Sequence, residues 1–342
     1  MTEWLRLVET GLGVIEGECL VLMGGLNAGL ARSLAGITPT LRRVASMGVM
    51  DLSRVPVEAR RFAYLGAQDG LLPSKDVATN VMLPLRPPAG FMADAVELVG
   101  LIGWGPRQVS GLSRYDRQRV ALARALAPRP RLLLLDDALA ELAPAAQFQF
   151  RRLIQKIHAA RPELTILMIT DRREDALMLA DRIAVLDENQ VVQLGNPRTL
   201  YERPDSELVA LALGDVNLLP GRVVSIDDDV AVVALDGKSA EVEAMAPPGC
   251  GVGMQGKLAI RPERVAIASS LVAEAGEHAL TARFVDTAFL GDSVLLRFQF
   301  ADGTLMVVKR PSAAPLGTLA PGRMVGLAWP ASVARMLIPG VR

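Results

Sequence analysis

The chain is poor in histidine, cysteine and aromatic side chains, and it has no excess charge of either sign. It contains 2 histidines and 2 cysteines among 342 residues, and 37 basic residues balance 37 acidic ones. A balanced charge produces no broad field to attract a nucleic acid or an anionic lipid, so we expect no nucleic-acid partner. Cys19, Cys250, His158 and His278 lack the spacing of metal ligands or of a redox pair, which favours packing or surface roles for all four.

Long apolar runs are also missing. The first residues, MTEWLRLVET, lack the basic start and the apolar stretch of a signal peptide. No uncharged run reaches the roughly 18 residues that a membrane span requires. We therefore expect a cytoplasmic chain that is soluble by itself and that reaches a membrane only through a membrane-embedded partner.

Short apolar runs, by contrast, recur in the first part of the chain. Each ends at a turn or near a carboxylate: residues 19–23 end at Gly24 and Gly25, residues 132–135 at Asp136, and residues 165–169 shortly before Asp171. A helical pattern follows the first run up to Leu34, and another separates the later runs between Gln147 and Ala160. Buried parallel strands joined by helices have this pattern, so it predicts an α/β fold.

The last third of the chain has a different pattern. Short β-branched segments such as DVAVVAL, SVLLRFQF and TLMVVKR alternate with turn residues, which predicts an all-β domain. Asp236-Gly237 and Asp302-Gly303 lie between apolar runs and predict hairpin turns, because glycine adopts positive φ at no steric cost. We therefore predict an α/β domain over residues 1–214 and an all-β domain over residues 215–342.

Residues 117–142 resemble, without a gap, the helix and Walker B strand of ABC transporter ATPases, with the sequence RQRVALARALAPRPRLLLLDDALAEL. Other segments follow in that family's order: GECLVLMGG before the phosphate loop, AYLGAQDGLLPS as the Q-loop, and LADRIAVLDENQVVQLGNPRTLYERP near the end of the first domain. IRPERVAIA and FLGDSVLLRFQFADG resemble the regulatory barrel of maltose, polyamine and sulfate importers. The resemblance implies a P-loop-type nucleotide-binding domain, with a helical subdomain at about residues 75–115, followed by an OB-like (TOBE-type) barrel.

The resemblance also implies a site for ATP and magnesium, whose phosphate loop departs from the family pattern. A working loop offers backbone N–H groups, a lysine for the β- and γ-phosphates and a hydroxyl for magnesium. The corresponding residues here are Gly24, Gly25 and Gly29, with Leu30 at the lysine position and Ala31 at the hydroxyl position. Because the segment is about three residues shorter than the family's, an alternative alignment puts Asn27 at the lysine position. Neither alignment supplies a cation, which favours a strand, turn and helix that only pack.

The signature motif, which in relatives clamps the nucleotide of the opposite subunit, reads Leu112-Ser113-Arg114-Tyr115-Asp116. Bulky side chains replace its two glycines, and Asp116 adds a negative charge where a phosphate is expected. Ser113 and Arg114 are the candidate nucleotide contacts. For Arg114, a solvated arginine at a helix start is the favoured interpretation over a phosphate-binding cation.

The Walker B strand keeps Asp136, which in relatives holds magnesium, as Gln68 of the Q-loop also does. Asp137 stands where the family has a catalytic glutamate, and its shorter side chain makes it a poor base at best. Asp171 replaces the switch histidine that contacts the γ-phosphate. A carboxylate is repelled by a polyphosphate unless a metal lies between them, so this replacement argues against normal turnover.

The Q-loop keeps the family pattern better than the catalytic residues do. Gln68 is followed in the same loop by Leu71, Leu72 and Pro73. In relatives this loop and the adjoining helical subdomain grip the coupling helix of the permease. We therefore expect these three residues to dock on a permease subunit rather than only to pack.

Two further segments carry weaker predictions. About 16 residues precede Gly17, fewer than the family's first strands need, and Trp4 is a candidate for the adenine-stacking aromatic, although ordinary packing is favoured. The run from Arg172 to Asp175 is interpreted as a solvated helix start, where its acids favour the positive end of the helix dipole.

Three functions agree with these residues. The favoured one is a hydrolysis-deficient subunit of an importer for a small organic solute such as a polyamine, polyol or sugar. It would lie on the inner face of the plasma membrane and support permease subunits beside a second, intact ATPase. The second is a weakly active ATPase that uses Asp136 and Asp137 with Arg32, Arg42 or Arg43 as the missing cation. The third is a regulatory pseudo-ATPase outside transport.

Overall fold

The computed structural model describes residues 3–24, 29–38, 45–83, 89–238, 240–268, 278–314 and 319–340. The chain divides into two compact units, Met1–Pro197 and Arg198–Arg342. None of the helices in these described ranges is both long enough and apolar enough to span a membrane.

The first unit alternates strands and helices. Its strands are β1 (Glu3–Leu7), β2 (Gly13–Ile15), β3 (Cys19–Gly24), β4 (Ala45–Met47), β5 (Met50–Asp51), β6 (Phe62–Gly66), β7 (Leu132–Asp136), β8 (Thr165–Ile169), β9 (Arg182–Asp187) and β10 (Gln190–Gly195). Its helices are α1 (Leu30–Leu34), α2 (Val57–Arg60), α3 (Val77–Met82), α4 (Ala89–Leu98), α5 (Arg114–Leu126), α6 (Pro144–Ala160) and α7 (Arg173–Leu179).

The central sheet of this unit has the strand order β10-β9-β3-β8-β7-β6. All of its neighbouring pairs are parallel except β10 with β9. Strands β3, β7 and β8 are buried along almost their whole length, which explains why their sequences are continuous apolar runs rather than alternating ones. The predicted parallel α/β sheet is confirmed.

A smaller antiparallel sheet has the strand order β2-β1-β4-β5. In sequence, β1 and β2 come before β3, and β4 and β5 come between β3 and β6. The expectation that the segment before Gly17 is too short for the first strands was wrong. Strands β1 and β2 pair in it, and they fit because they are only 5 and 3 residues long. Helix α6 also begins earlier than predicted, at Pro144, since proline at a first helical position has a suitable φ and needs no N–H partner.

The second unit contains helices α8 (Pro197–Glu202), of which Pro197 closes the first unit, and α9 (Glu207–Leu213). Its strands are β11 (Asn217–Asp227), β12 (Val230–Leu235), β13 (Glu241–Met245), β14 (Gln255–Ile260), β15 (Ala266–Ala268), β16 (His278–Phe289), β17 (Ser293–Gln299), β18 (Leu305–Pro311), β19 (Met324–Trp329) and β20 (Ala334–Leu337).

The strands of the second unit form a closed barrel, β11-β12-β13-β20-β14, and a five-stranded sheet, β15-β19-β16-β17-β18. One apolar cluster runs through both, with Phe284, Phe298 and Trp329 among its large side chains. The two predicted hairpin turns are confirmed, with φ of 69° at Gly237 and 88° at Gly303.

Helix α9 belongs with the barrel rather than with the preceding domain. Its Ala210 packs against Ala259 and Leu337. The buried Arg261 donates hydrogen bonds to the carbonyl oxygens of Ala210 (2.8 Å) and Gly214 (2.9 Å). The second compact unit begins ahead of the composition change at residue 214. Helix α9 lies within it because it packs against residues of the barrel and accepts a hydrogen bond from Arg261.

Candidate functional site

The carboxyl ends of neighbouring parallel strands bring the predicted site residues to one edge of the central sheet. Gly24 ends β3, Asp136 ends β7, and Asp171 follows β8, which lies between those two strands. In register, Asp136 is opposite Ile169 on one side and Gly66 on the other. Open α/β sheets bind ligands outside this edge.

Gly24 occupies a backbone position that only glycine fits. Its φ is 90°, and a Cβ there would lie 2.3 Å from the carbonyl oxygen of Leu186 on β9. Gly29, at the other end of the predicted phosphate loop, also has a positive φ and precedes helix α1. Gly25 and Asn27 lie outside the described residues.

Leu30 and Ala31 begin helix α1 and belong to the packing of the domain. Leu30 packs against the apolar core, and Ala31 is buried. Neither side chain has a polar atom, so neither can neutralise a phosphate or bind magnesium. Arg60 closes the other end of this short helix by donating to the carbonyl oxygen of Leu34 at 2.9 Å.

Asp171 contacts the start of the phosphate loop. The backbone N–H of Gly24 donates a hydrogen bond to Asp171 Oδ1, with an N···O distance of 2.9 Å. Backbone N–H groups of phosphate loops point at the ligand in working sites. In this chain that donor is taken by a side-chain carboxylate.

Asp136 is also bonded within the chain. Its Oδ2 accepts a hydrogen bond from the Tyr64 hydroxyl at 2.9 Å. Tyr64 and Gly66 lie on the same face of β6, and the phenol reaches over Gly66, where a Cβ would be 2.8 Å from the hydroxyl oxygen. Burial, together with the Asp136 carboxylate, raises the pKa of Tyr64 to about 12, so the phenol remains a donor at neutral pH.

Asp137 interacts electrostatically with two other acids, Asp136 and Asp171. Its backbone is left-handed, with φ of 47°, and its N–H donates to the carbonyl oxygen of Ile169 at 3.0 Å. Burial raises the pKa of Asp137, and the charges of Asp136 and Asp171 add to the rise, while Arg172 opposes it. Within the described ranges no three His, Cys, Asp or Glu side chains converge as metal ligands do.

The signature segment uses its polar groups locally. Ser113 caps helix α5: its hydroxyl accepts from the N–H of Asp116 at 3.1 Å and donates to the Asp116 carboxylate at 2.6 Å. Asp116 also pairs with Arg119 at 2.9 Å. Arg114 lies at the start of helix α5, as predicted, and its partly exposed side chain forms an ion pair with Glu141. The predicted nucleotide contacts Ser113 and Arg114 are therefore engaged inside the chain.

Two arginines of helix α5 hydrogen-bond to the Q-loop. Gln68 is exposed directly after β6, whereas Asp69 is buried. Arg117 donates to the Asp69 carboxylate at 3.2 Å, and Arg124 donates to the carbonyl oxygens of Asp69 and Gly70 at 2.7 and 2.8 Å. The loop thus has a defined conformation without any ligand.

The three predicted docking residues differ in exposure. Leu71 is buried, Leu72 is 45% exposed, and Pro73 is exposed. Asn80, fully buried on helix α3, accepts from the N–H of Leu72 at 2.8 Å and donates to its carbonyl oxygen at 3.1 Å. Leu71 therefore packs beneath the loop, and the docking prediction rests on Leu72 and Pro73.

The charged run after the switch position starts helix α7 with two acids in its first turn, as predicted, but it is not solvated throughout. Asp175 is buried and pairs with Arg151 of helix α6 at 2.6 Å. It also accepts a hydrogen bond from the Thr170 hydroxyl at 3.2 Å. Arg172 donates to the carbonyl oxygen of Ala140 at 3.1 Å. Solvation was wrongly predicted for Asp175 because its partner Arg151 lies on another helix, which a local sequence pattern does not show.

Two residues at the site edge were missed altogether. Gln118 of α5 is 1% exposed, and its Nε2 donates to the carbonyl oxygens of Gly66 (2.9 Å) and Ala138 (2.8 Å), which ties the helix to both strand ends. Tyr64 holds Asp136 as described above. The only sequence signal was the spacing of Tyr64 and Gly66, which places both on one face of a strand.

Trp4 is unavailable for stacking on a base. Its ring packs edge-on against Phe62 with a centroid distance of 6.0 Å, and Arg131 lies 4.5 Å over it. The packing interpretation is confirmed, and the adenine-stacking candidate was wrong. His158 also packs, with Nε2 2.9 Å from the carbonyl oxygen of Gly17.

Comparison with known proteins identifies the family. Residues 9–140 match the ABC transporter family and residues 258–337 match the TOBE domain. The spermidine/putrescine import ATP-binding protein PotA of Rubrobacter xylanophilus is 34% identical, over 96% of this chain and 89% of that protein. This chain belongs to the ATP-binding subunits of ABC transporters. The Fe(3+) ions import ATP-binding protein FbpC of Rhizobium etli is 30% identical, over 88% of this ABC subunit and 85% of its own length.

A solved structure supports the fold of the ABC subunit. The structure of cbiO1 from Clostridium perfringens, part of the ABC transporter complex cbiONQ, aligns with a TM-score of 0.51 at 20% identity. The alignment covers 59% of this chain and 92% of that one. The predicted fold class is confirmed: an ABC ATPase domain is followed by a β-rich TOBE domain.

The described residues of this ABC subunit do not match the requirements of magnesium and ATP. Magnesium binds carboxylate oxygens, and one of the two oxygens of Asp136, Oδ2, already accepts a hydrogen bond from Tyr64. A phosphate needs donors and cations, whereas the N–H of Gly24 is taken by Asp171. Arg32 is exposed on α1 and its charge opposes the rise in the pKa of Tyr64, which makes it a candidate cation near this edge. The other candidates, Arg42 and Arg43, lie outside the described residues.

Proposed function

We propose that this ABC subunit does not turn over ATP itself, and that it acts as a structural and coupling partner of an intact ATPase subunit in an importer. The hydrogen bond between Gly24 N–H and Asp171 carries the proposal. A negative charge at the switch position repels the γ-phosphate that a working site stabilises, and it does so at the loop that would bind the phosphates.

The neighbouring acids support the same conclusion. Catalysis by Asp137 would require a water molecule held beside a bound triphosphate, but Asp136 and Asp171 both add negative charge at Asp137. The side chains at the lysine and hydroxyl positions, Leu30 and Ala31, cannot offset this charge. The chain's own site therefore lacks the electrostatic complement of ATP.

The loop that holds Leu72 and Pro73 supports docking on a permease. Asn80 and the arginines of α5 keep this loop ordered, so an apolar rim is presented without an ordering cost. Met82 and Leu83, at the end of the same helix as Asn80, are also exposed and extend the apolar character. Coupling by such a surface does not require ATP to be cleaved in this subunit.

Relatives of this subunit are named for the import of spermidine and putrescine or of Fe(3+). We extend the proposal to an importer of a small organic solute such as a polyamine, polyol or sugar. The subunit would lie on the cytoplasmic side of the membrane, held there by permease subunits.

A slow ATPase is the second candidate, because Arg32 is close enough to influence Tyr64, which contacts Asp136. In this case Arg32 would replace the missing lysine, and Asp137 would orient the water. Substitution of either residue, as Arg32→Gln or Asp137→Asn, would then abolish turnover.

Calorimetry with ATP and magnesium tests the two candidates. The purified chain is titrated alone and then mixed with whichever intact ATPase subunit its gene neighbourhood encodes. We expect no binding by the chain alone and ATP-dependent association in the mixture, with Arg32→Gln and Asp137→Asn behaving as the unaltered chain. Micromolar binding alone, with turnover lost in both variants, would replace the first candidate with the second.

A further inference from the structure

At this edge of the sheet, two side chains bond to groups that would contact a magnesium ion and a phosphate oxygen in a nucleotide complex. The Tyr64 hydroxyl donates to Asp136 Oδ2 at 2.9 Å, and Asp171 Oδ1 accepts from Gly24 N–H at 2.9 Å. The first contact satisfies an acceptor that would bind a cation. The second satisfies a donor that would bind an anion. They come from different elements, since Tyr64 lies on β6 and Asp171 follows β8.

We propose that Tyr64 and Asp171 are specificity-determining residues that substitute for the magnesium ion and for a phosphate oxygen, and so close this site to magnesium nucleotides. The inference deepens the proposed function and rests on it. It adds a cause: exclusion results from two groups that are present, and not only from a lysine and a histidine that are missing.

Tyr64 excludes a cation for geometric reasons. Its ring extends along β6 over Gly66, where the absence of a side chain makes room for it. A metal ion that approached Asp136 Oδ2 from this side would have to displace the hydroxyl oxygen, which lies 2.9 Å from that carboxylate oxygen. Because the ring is partly buried, displacement would also expose apolar surface.

Asp171 excludes an anion for electrostatic reasons. It takes the first donor of the loop and brings a negative charge to the position of the ligand's own charge. Asp137 lies near enough for the two charges to interact, so the charge of Asp171 is not isolated. At this loop, a phosphate would find the N–H of Gly24 already hydrogen-bonded and would be repelled by the Asp171 and Asp137 carboxylates.

The two contacts also explain how the edge keeps its arrangement without a ligand. At a phosphate-binding edge, backbone N–H groups obtain hydrogen-bond partners from the nucleotide. Here the strand end of β7 and the strand end of β3 obtain theirs from the same chain.

Binding by variants tests the inference. Tyr64→Phe, Asp171→Asn and the double variant are compared with the unaltered chain. Mn²⁺ alone is followed by the loss of its free electron paramagnetic resonance signal, and ATP is followed by calorimetry in magnesium buffer. Tyr201→Phe is the matched control for the phenol, because its hydroxyl donates to Glu263 at 2.6 Å in the second unit. Asp187→Asn, at the exposed end of β9, is the control for charge.

We expect Tyr64→Phe to bind Mn²⁺, and Asp171→Asn to bind ATP, about tenfold or more tightly than the unaltered chain, with the largest gain in the double variant. The two controls should show no gain. If the double variant binds neither probe better than the unaltered chain, the inference is overturned and the proposed function stands. If the unaltered chain already binds magnesium ATP at micromolar concentration, both fall. Circular dichroism checks the fold, and should Tyr64→Phe fail to fold, ATP binding by Asp171→Asn alone decides.

Discussion

Replacing Asp175 by asparagine should strongly destabilise the first unit. The Asp175 and Arg151 side chains are 1% and 7% exposed, and their charged atoms are 2.6 Å apart. Asparagine keeps the shape of the side chain but leaves the guanidinium buried without a countercharge. Removal of one partner from a buried ion pair costs about 3–5 kcal/mol, much more than loss of an exposed pair.

Hydrogen exchange measured by mass spectrometry locates this loss. Amides of β8 and α7 should lose about 3 kcal/mol or more of protection in Asp175→Asn, whereas amides of the barrel strands in the second unit serve as an internal reference. Glu174→Gln is the matched control, because this neighbouring acid is exposed and pairs with Arg173 at the surface, so we expect a change within about 0.5 kcal/mol.

A double variant separates pairing from packing. Arg151→Leu with Asp175→Leu replaces the pair by apolar side chains and should recover most of the lost stability, since a buried ion pair gains little over an apolar pair of similar size. A loss below about 1 kcal/mol in Asp175→Asn would refute the reasoning, because it would show that the guanidinium finds solvent or another partner.

Three further predictions concern other parts of the chain. Hydrogen bonds from Lys238 and from the N–H of Thr304 lower the pKa of Asp302 to about 2, so the stability from these contacts is present above about pH 4 and is lost as the pH falls towards 2. Lys238→Met should reduce that acid-dependent loss in thermal denaturation, because Lys238 is the larger cause of the lowered pKa. Gly24→Ala should destabilise the chain by about 1–3 kcal/mol in urea unfolding, whereas the matched Gly111→Ala, where a Cβ meets nothing within 4 Å, should cost less than about 1 kcal/mol. Asp137→Glu restores the family's glutamate but should leave phosphate release at background, because Asp171 remains; measurable turnover would contradict this.

The sequence by itself determined the fold class, and it predicted the departures of the site residues from the family pattern. Apolar runs and turns depend on neighbouring residues, so the strand ending at Asp136 and the hairpins at Gly237 and Gly303 could be predicted from local patterns. The family register taken from residues 117–142 puts Leu30 or, in the alternative alignment, Asn27 at the lysine position and Asp171 at the switch position.

Only the tertiary structure decided what these residues contact. Tyr64 and Asp136 are 72 residues apart in sequence, and Gly24 and Asp171 are 147 apart, so no local pattern connects them. The same holds for Arg151 and Asp175, which come from different helices. Parallel strands from distant parts of the chain end at one edge of the sheet. This convergence brings the Tyr64 hydroxyl to the Asp136 carboxylate and the Asp171 carboxylate to the N–H of Gly24.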